Sequence, residues 1–167
     1  MHTLELVHNP SPADNPRLLS PLTLAFIGDS VYELLVREKL IRQGSMPPSR
    51  LHQMAVEKVR AAAQSRAYLL LTEAETGDSD GGLCLDQRLT EEEIAVMKRG
   101  RNANTARVPK SSNPAEYRRA TGVESLFGFL YLSGRIGRLN QLFEEIWQDA
   151  LMDGLSHREA SPDGEPL

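Results

Sequence analysis

The chain has 167 residues, of which 40% are hydrophobic and 25% charged, and its formal net charge is −4 at pH 7. These values exclude a disordered or fibrous protein, and the single cysteine, Cys84, excludes an internal disulfide. Because no apolar run approaches the roughly 20 residues that span a bilayer, and the N-terminus lacks a signal-peptide pattern, we expect a cytoplasmic protein.

Helix signals follow one another along the whole chain. Residues 1–19 are rich in proline and asparagine, and we expect a flexible lead-in there without regular structure. Ser20 followed by Pro21 is typical of a helix start, and this first helix is predicted over residues 21–42, ending before Gly44 and the prolines that follow it. The later helices are predicted, in chain order, over residues 49–66, 67–75, 90–101, 114–133 and 138–151.

The predicted fold class is all-α, because no stretch alternates apolar and polar residues as a strand does. Thr90 with Glu93 three residues later is a capping-box pattern, which indicates a helix start. We expect one domain, a helical bundle, over residues 20–153. Residues 154–167 consist mainly of glycine, serine, proline and charged residues, and we predict a mobile tail.

Two acidic residues interrupt apolar helical segments. Asp29 lies within residues 24–36 and Glu124 lies within residues 121–132, and each is surrounded mainly by uncharged side chains. Because an ionised carboxylate is costly to bury without a partner, both acids require a counter-charge if these helices are buried. We predict that both are buried and that they share a cation.

Glycines accompany both acids. Gly28 immediately precedes Asp29, and Gly122 and Gly128 lie on either side of Glu124. Glycine in a helix costs about 1 kcal/mol relative to alanine, but it allows two backbones to approach closely. We therefore expect two helices to cross at these small residues and to bring the acids together.

Carboxylate oxygens are the ligands that Mg²⁺ prefers, and this ion keeps several waters, so one or two protein acids suffice. Such a metal would lower the pKa of a bound water and stabilise charge at a phosphate. Glu33 lies one helical turn after Asp29 and would either support this site or pair with Arg37. A buried ion pair with an arginine, or a capping role, is the alternative for the two acids themselves.

A basic segment stands out from the acidic remainder of the chain. From Lys98 to Arg119 there are seven basic residues and one acid, Glu116. Arginine and lysine contact nucleic-acid phosphates without regard to base sequence, and the scarcity of free aromatic residues favours a duplex over a single strand. A solvated charged face is the alternative. The candidate RNA-binding residues are Lys98, Arg99, Arg101, Asn102, Arg107 and Lys110.

Three blocks of sequence resemble, in the right order, the signatures of the Mini-III ribonucleases, the compact branch of the ribonuclease III superfamily. They are residues 24–33 (LAFIGDSVYE), 98–103 (KRGRNA) and 117–128 (YRRATGVESLFG). The resemblance covers about residues 18–150. Three ordered blocks are far more specific than any one of them.

The resemblance implies an all-helical endonuclease domain that acts as a homodimer on double-stranded RNA, uses Mg²⁺ and leaves 5′-phosphate ends. Members of this family mature the ends of 23S ribosomal RNA precursors in bacteria. Asp29 and Glu124 match the metal-binding aspartate and glutamate of the superfamily, and Tyr32 with Glu33 matches the Mini-III form of the first block.

The chain also departs from the larger superfamily. Leu22, Ala25 and Thr121 stand where longer enzymes carry further acids, which leaves the number of metal ions open. Since about a dozen residues follow the last predicted helix, we expect no separate RNA-binding domain. The catalytic domain itself, or a ribosomal protein, would then bind the RNA. A catalytically silent homodimer that binds double-stranded RNA is the alternative function. A helical protein-interaction module with no RNA role is a third.

Overall fold

A computed structural model describes residues 15–72, 89–103 and 113–159, with side chains up to residue 152. Within these ranges there is no β-strand, and the predicted all-α class is confirmed. None of the described helices is long and apolar enough to cross a membrane. The α-helices are α1 (Pro21–Arg42), α2 (Pro48–Val59), α3 (Ala61–Thr72), α4 (Glu91–Asn102), α5 (Pro114–Leu132) and α6 (Ile136–Glu159).

Local capping signals explain where several helices begin. The Ser20 Oγ accepts a hydrogen bond from the backbone N–H of Thr23 at 3.1 Å, and α1 starts at the next residue, as predicted. At α4 the backbone N–H of Glu93 donates to the Thr90 hydroxyl at 3.2 Å, and the Thr90 N–H donates to the Glu93 carboxylate at 2.9 Å. The predicted capping box is therefore confirmed.

The second and third helices divide at a different residue from the one predicted. Arg60 separates α2 from α3, because its backbone is extended (φ −62°, ψ 154°). Neither glycine nor proline marks this position. The carbonyl of Val59, left free by the helix end, instead accepts a hydrogen bond from Gln64 Nε2 at 3.1 Å. Helix propensity alone does not reveal this division.

Both ends of the domain are more helical than predicted. Pro16–Leu18 forms a short 3-10 helix, capped by the Asn15 side chain, so the expectation of no regular structure before Ser20 is wrong for these residues. Helix α6 continues to Glu159, eight residues beyond its predicted end at residue 151. The last eight residues of the predicted tail, 160–167, lie outside the described residues.

Helix α5 is the centre of the fold and packs against α1, α3, α4 and α6. Every residue from 120 to 130 is buried except Glu124, which is half-buried. Edge-to-face contacts join α5 to its neighbours through Tyr32, Phe127 and Phe143, with ring centroids 5.2 and 5.6 Å from Tyr32. Glu124 is therefore the one partly accessible residue in the buried middle of this central helix.

A buried ion pair links α4 to α6. Glu93 is only 1% exposed and accepts hydrogen bonds from Arg138 Nε at 2.9 Å and Nη2 at 2.8 Å. Burial acts to raise the pKa of Glu93, but the hydrogen bonds from Arg138 and from the Thr90 N–H, with the positive charge of Arg138, hold it below its ordinary value. The sequence indicated only the capping role of Glu93.

Candidate active site

Helices α1 and α5 cross with their backbones in direct contact. A methyl group added at Gly28 would overlap the backbone carbonyl of Glu124, and one added at Gly128 would overlap the carbonyl of Leu24. Backbone atoms cannot move aside unless the helices separate, so both positions require glycine. The predicted crossing at small residues is confirmed for Gly28 and Gly128.

Gly122 has a different role. A methyl group there would lie 2.9 Å from the Met97 carbonyl oxygen and 2.9 Å from the Tyr68 ring. It therefore allows α4 and α3, and not α1, to approach α5. The prediction that both glycines near Glu124 serve one crossing is wrong for this residue.

Asp29 is exposed, so the prediction that it is buried is wrong. It lies on a side of α1 that also exposes Leu22 (42%) and Phe26 (83%) to solvent. Apolar residues occupy all sides of this helix, so periodicity alone does not show which side meets other helices. The buried side of α1 is the one that packs against other helices, and here it packs mainly against α5.

Desolvation and nearby negative charge raise the pKa values of both Glu124 and Asp29. Partial burial, followed by the negative charge of Asp29, raises the pKa of Glu124 to about 7, while a hydrogen bond from Gln64 acts in the opposite direction. Although Asp29 is exposed overall, the protein beside its carboxyl group partly desolvates it, and this effect, followed by the charge of Glu33, raises the pKa of Asp29. Both shifts show that negative charge accumulates here without full compensation.

No arginine neutralises these acids among the described side chains. The ion pairs found in residues 15–72, 89–103 and 113–152 include neither Asp29 nor Glu124. Glu33 instead pairs with Arg37 one turn along α1, which was one of its two predicted roles. The structure therefore does not support the buried ion pair considered as the alternative for Asp29 and Glu124.

The basic residues at the end of α4 have divergent neighbours. Lys98, Arg99 and Asn102 are exposed, and Arg101 is half-buried. Arg101 lies 5.7 Å from the centre of the Tyr68 ring and donates a hydrogen bond to the Asn102 side chain at 3.2 Å. Arg99 instead donates to the Leu19 carbonyl at 3.3 Å, near the start of α1. The last turn of α4 thus extends cationic groups toward both α3 and α1.

Comparisons with known proteins identify the domain that holds this site. The Ribonuclease III domain family matches residues 22–135, a range that includes Asp29, Glu124 and the described basic residues. Mini-ribonuclease 3 of Symbiobacterium thermophilum is 42% identical over 130 residues, which cover 78% of this chain and 89% of that protein. The chain belongs to the Mini-ribonuclease 3 family.

Other members and a solved structure agree with this assignment. Mini-ribonuclease 3 of Brevibacillus brevis is 39% identical over 142 residues, covering 85% of this chain and 94% of that protein. A crystal structure of a protein from Fusobacterium nucleatum is 27% identical, covers 80% of this chain and 96% of that one, and superposes with a TM-score of 0.62. The predicted family is confirmed, and this Mini-ribonuclease 3 family member is an endoribonuclease.

The Asp29–Glu124 pair fits a hard divalent cation. Its donors are carboxylates, and their raised pKa values reflect repulsion and burial that a bound cation would relieve. No group of three or more His, Cys, Asp or Glu side chains suited to a metal occurs in the part of the chain that the structure describes. An ion held here would therefore keep several water ligands, as Mg²⁺ commonly does.

Sequence reasoning missed Gln64 near the site, and two of the predicted residues lie outside the described residues. Gln64 is buried beside Glu124, and a single polar side chain after three alanines, Ala61–Ala63, could have signalled it. Arg119 donates a hydrogen bond to the Ser65 hydroxyl at 3.4 Å, which links α5 to α3. The predicted residues Arg107 and Lys110 lie outside the described residues.

Proposed function

We propose that this Mini-ribonuclease 3 family member cleaves double-stranded RNA with Mg²⁺ and matures the ends of 23S ribosomal RNA precursors. The observation that carries the proposal is the uncompensated pair of acids, Asp29 and Glu124, at the α1–α5 crossing. Two carboxylates of this kind favour a cation, and an RNA phosphate is a substrate that such a cation can bind.

In this mechanism the chain positions the reactants. Asp29 and Glu124 would hold Mg²⁺ through their carboxylate oxygens, which requires Glu124 to release the proton that its raised pKa lets it keep near neutral pH. When bound, Mg²⁺ supplies Lewis-acid stabilisation of charge on the phosphate and activation of a water. Cleavage in which water attacks phosphorus and the 3′-oxygen leaves would produce 5′-phosphate ends.

The end of α4 would hold the phosphate backbone. Lys98, Arg99, Arg101 and Asn102 offer hydrogen-bond donors there, and Arg107 with Lys110 would extend this set along the chain. Contacts of this kind position a duplex without reading its bases, so its shape or a ribosomal protein bound to it would have to specify the cleavage site.

An apolar exposed surface supports a homodimer. Leu18 and Phe26 are each 83% exposed, and Leu22 between them is 42% exposed. Leu22, Phe26 and Asp29 follow one another at helical spacing along α1, so a second copy covering this surface would lie close to the acid pair. Two sites brought together in this way could cut the two strands of one duplex.

The test is cleavage of a structured 23S ribosomal RNA precursor with Mg²⁺ by the wild type and by Asp29→Asn. We expect a loss of about 10³-fold or more, because the variant loses a charge that would bind the metal. Asp149→Asn is a matched control, since Asp149 pairs with Arg66 on the surface of another helix. Equal cleavage by wild type and Asp29→Asn would show that the assigned site is wrong.

The substrate is tested separately with a generic duplex of the same length. Faster cleavage of the precursor at its mature ends supports the ribosomal assignment, whereas equal cleavage of both RNAs contradicts it. A protein that binds the duplex but never cuts it, at any Mg²⁺ concentration, would be the silent homodimer.

A further inference from the structure

Two arginines from different helices lie against the same side of α3. The guanidinium of Arg101, at the end of α4, lies 5.7 Å from the centre of the Tyr68 ring. Arg119 of α5 donates a hydrogen bond from its Nη1 to the Ser65 hydroxyl at 3.4 Å. Ser65 and Tyr68 are both buried and are three residues apart, so they are neighbours on one side of α3. The two arginines therefore meet α3 about one helical turn apart.

Gly122 makes this arrangement possible. A methyl group there would lie 2.9 Å from the Tyr68 ring and 2.9 Å from the Met97 carbonyl oxygen, so α3 and α4 both approach α5 at this residue. Arg119 precedes Gly122 by three residues on α5, and Arg101 follows Met97 by four residues on α4. Each arginine thus lies about one helical turn from the point where the three helices meet.

No carboxylate balances these two charges among the described side chains. The ion pairs found in that part of the chain include neither Arg101 nor Arg119, and they do not include Glu116, one turn before Arg119 on α5. Both arginines are half-buried, and two partly desolvated cations close to each other repel unless an anion binds beside them. Packing alone is a poor explanation, because an apolar side chain would contact Tyr68 without this repulsion.

The donors of the two side chains suit a phosphate. Arg101 uses its Nε to hold the Asn102 side chain at 3.2 Å, and Arg119 uses its Nη1 to hold Ser65. Each of these bonds takes one of the five N–H groups of a guanidinium, whose planar fork matches the oxygens of a phosphate. Arg119 precedes Glu124 by five residues, about 7.5 Å along the axis of α5, so a phosphate bound here would lie near the acid pair.

We propose that Arg101 and Arg119 form one phosphate-binding site where α3, α4 and α5 meet, and that this site holds the backbone of double-stranded RNA beside the acid pair. The proposal rests on the proposed function, because it takes double-stranded RNA as the substrate. Tyr68 and Ser65 are positioning residues that fix the two guanidinium groups. The site extends the basic end of α4 onto α5, where the sequence indicated no RNA-binding residue.

The test measures the affinity of the full chain for a generic RNA duplex at several salt concentrations, by fluorescence anisotropy with a chelator present to prevent cleavage. Arg119→Met keeps the apolar part of the side chain but removes the charge. We expect about 10–100-fold weaker binding and a salt dependence, log affinity against log salt, that is shallower by about one. Arg42→Met is the matched control, since Arg42 pairs with Glu38 at the C-terminal end of α1, and it should bind like the wild type.

A double variant tests whether the two arginines form one site. If they do, the loss of affinity in Arg101→Met with Arg119→Met should be smaller than the product of the two single losses. A loss equal to that product would show two independent contacts and overturn the proposal.

The anchor on α3 is tested without changing any charge. Ser65→Ala removes the hydrogen bond to Arg119, and we expect about 2–10-fold weaker binding with an unchanged salt dependence. Wild-type affinity of this variant would overturn the positioning role of Ser65. The melting temperature reports on the fold of each variant, and Ser65→Ala decides the matter should Arg119→Met fail to fold.

The failure of this proposal differs from the failure of the proposed function. Binding of Mn²⁺, a spectroscopic substitute for Mg²⁺, should be the same in Arg119→Met as in the wild type, as measured by electron paramagnetic resonance. Weaker Mn²⁺ binding would place the effect at the acid pair and overturn the separate phosphate site. If the wild type does not bind the duplex, the proposed function itself is wrong. If it binds the duplex and Arg119→Met has the same affinity and salt dependence, only the arginine site is overturned.

Discussion

The backbone carbonyl of Glu124 lies against Gly28, so that no side chain fits between α1 and α5 at this point. Gly28→Ala should therefore lower the free energy of unfolding by about 1–3 kcal/mol, because the helices must separate to admit the methyl group. Urea denaturation measures this change. Gly137→Ala is the control: nothing lies within 4 Å of the added methyl group, and alanine should stabilise α6 by up to about 1 kcal/mol. A Gly28→Ala variant as stable as the wild type would contradict the close approach.

The stability of the metal-free protein should depend on the ionisation of Glu124. Folding raises the pKa of this carboxyl from its ordinary value of 4.5 to about 7, so the folded state binds the proton more tightly. Between these pH values the free energy of unfolding should fall as pH rises, because only the folded state still holds the proton. Urea denaturation with a chelator measures the fall. Glu124→Gln should remove it, whereas Glu57→Gln, at an exposed position of α2, should not.

The same ionisation predicts how metal affinity changes with pH. Since a bound cation requires the ionised carboxylate, protons compete with metal below a pKa of about 7. A group with that pKa is roughly one-tenth ionised at about pH 6 and roughly nine-tenths ionised at about pH 8, so apparent Mn²⁺ affinity should rise about tenfold over that range. Calorimetric titration at several pH values tests this. An affinity that does not change with pH would exclude Glu124 as a ligand that titrates near neutral pH.

The ion pair of Glu93 and Arg138 should be necessary for the stability of the fold. Arg138→Met leaves the carboxylate of Glu93 almost fully buried without its partner, which should cost about 3–5 kcal/mol in urea denaturation. Arg42→Met, which removes the exposed partner of Glu38, should cost less than about 1 kcal/mol. Similar losses in both variants would show that burial does not distinguish the two pairs.

Phe26 tests the proposed homodimer. Phe26→Glu places a charge on the exposed apolar surface beside Asp29 and should convert a dimer to a monomer, as measured by light scattering coupled to size-exclusion chromatography. Met152→Glu, at a 67% exposed position near the end of α6, should leave the dimer intact. A wild type that is already monomeric at every concentration tested would refute the dimer.

The position of the acid pair was only partly predictable. Glycines next to Asp29 and Glu124 indicated a close crossing, and Gly28 with Gly128 forms it. The exposure of Asp29 and the different role of Gly122 were not predictable from the helix period. The helix period shows which side of a helix is apolar. It does not show whether that side packs against another helix or is exposed to solvent.

The sequence by itself determined the helical class, the starts of α1 and α4 and the family. Caps, prolines and capping boxes act within about four residues, and the three motif blocks are contiguous, so both kinds of signal can be read along the chain. Only the tertiary structure decided that Asp29 faces solvent, that α2 ends at Val59 and that Gln64 lies beside Glu124. The placement of Asp29 and Gln64 depends on which helices pack together across long stretches of chain, and burial and charge then change the chemistry of each carboxylate.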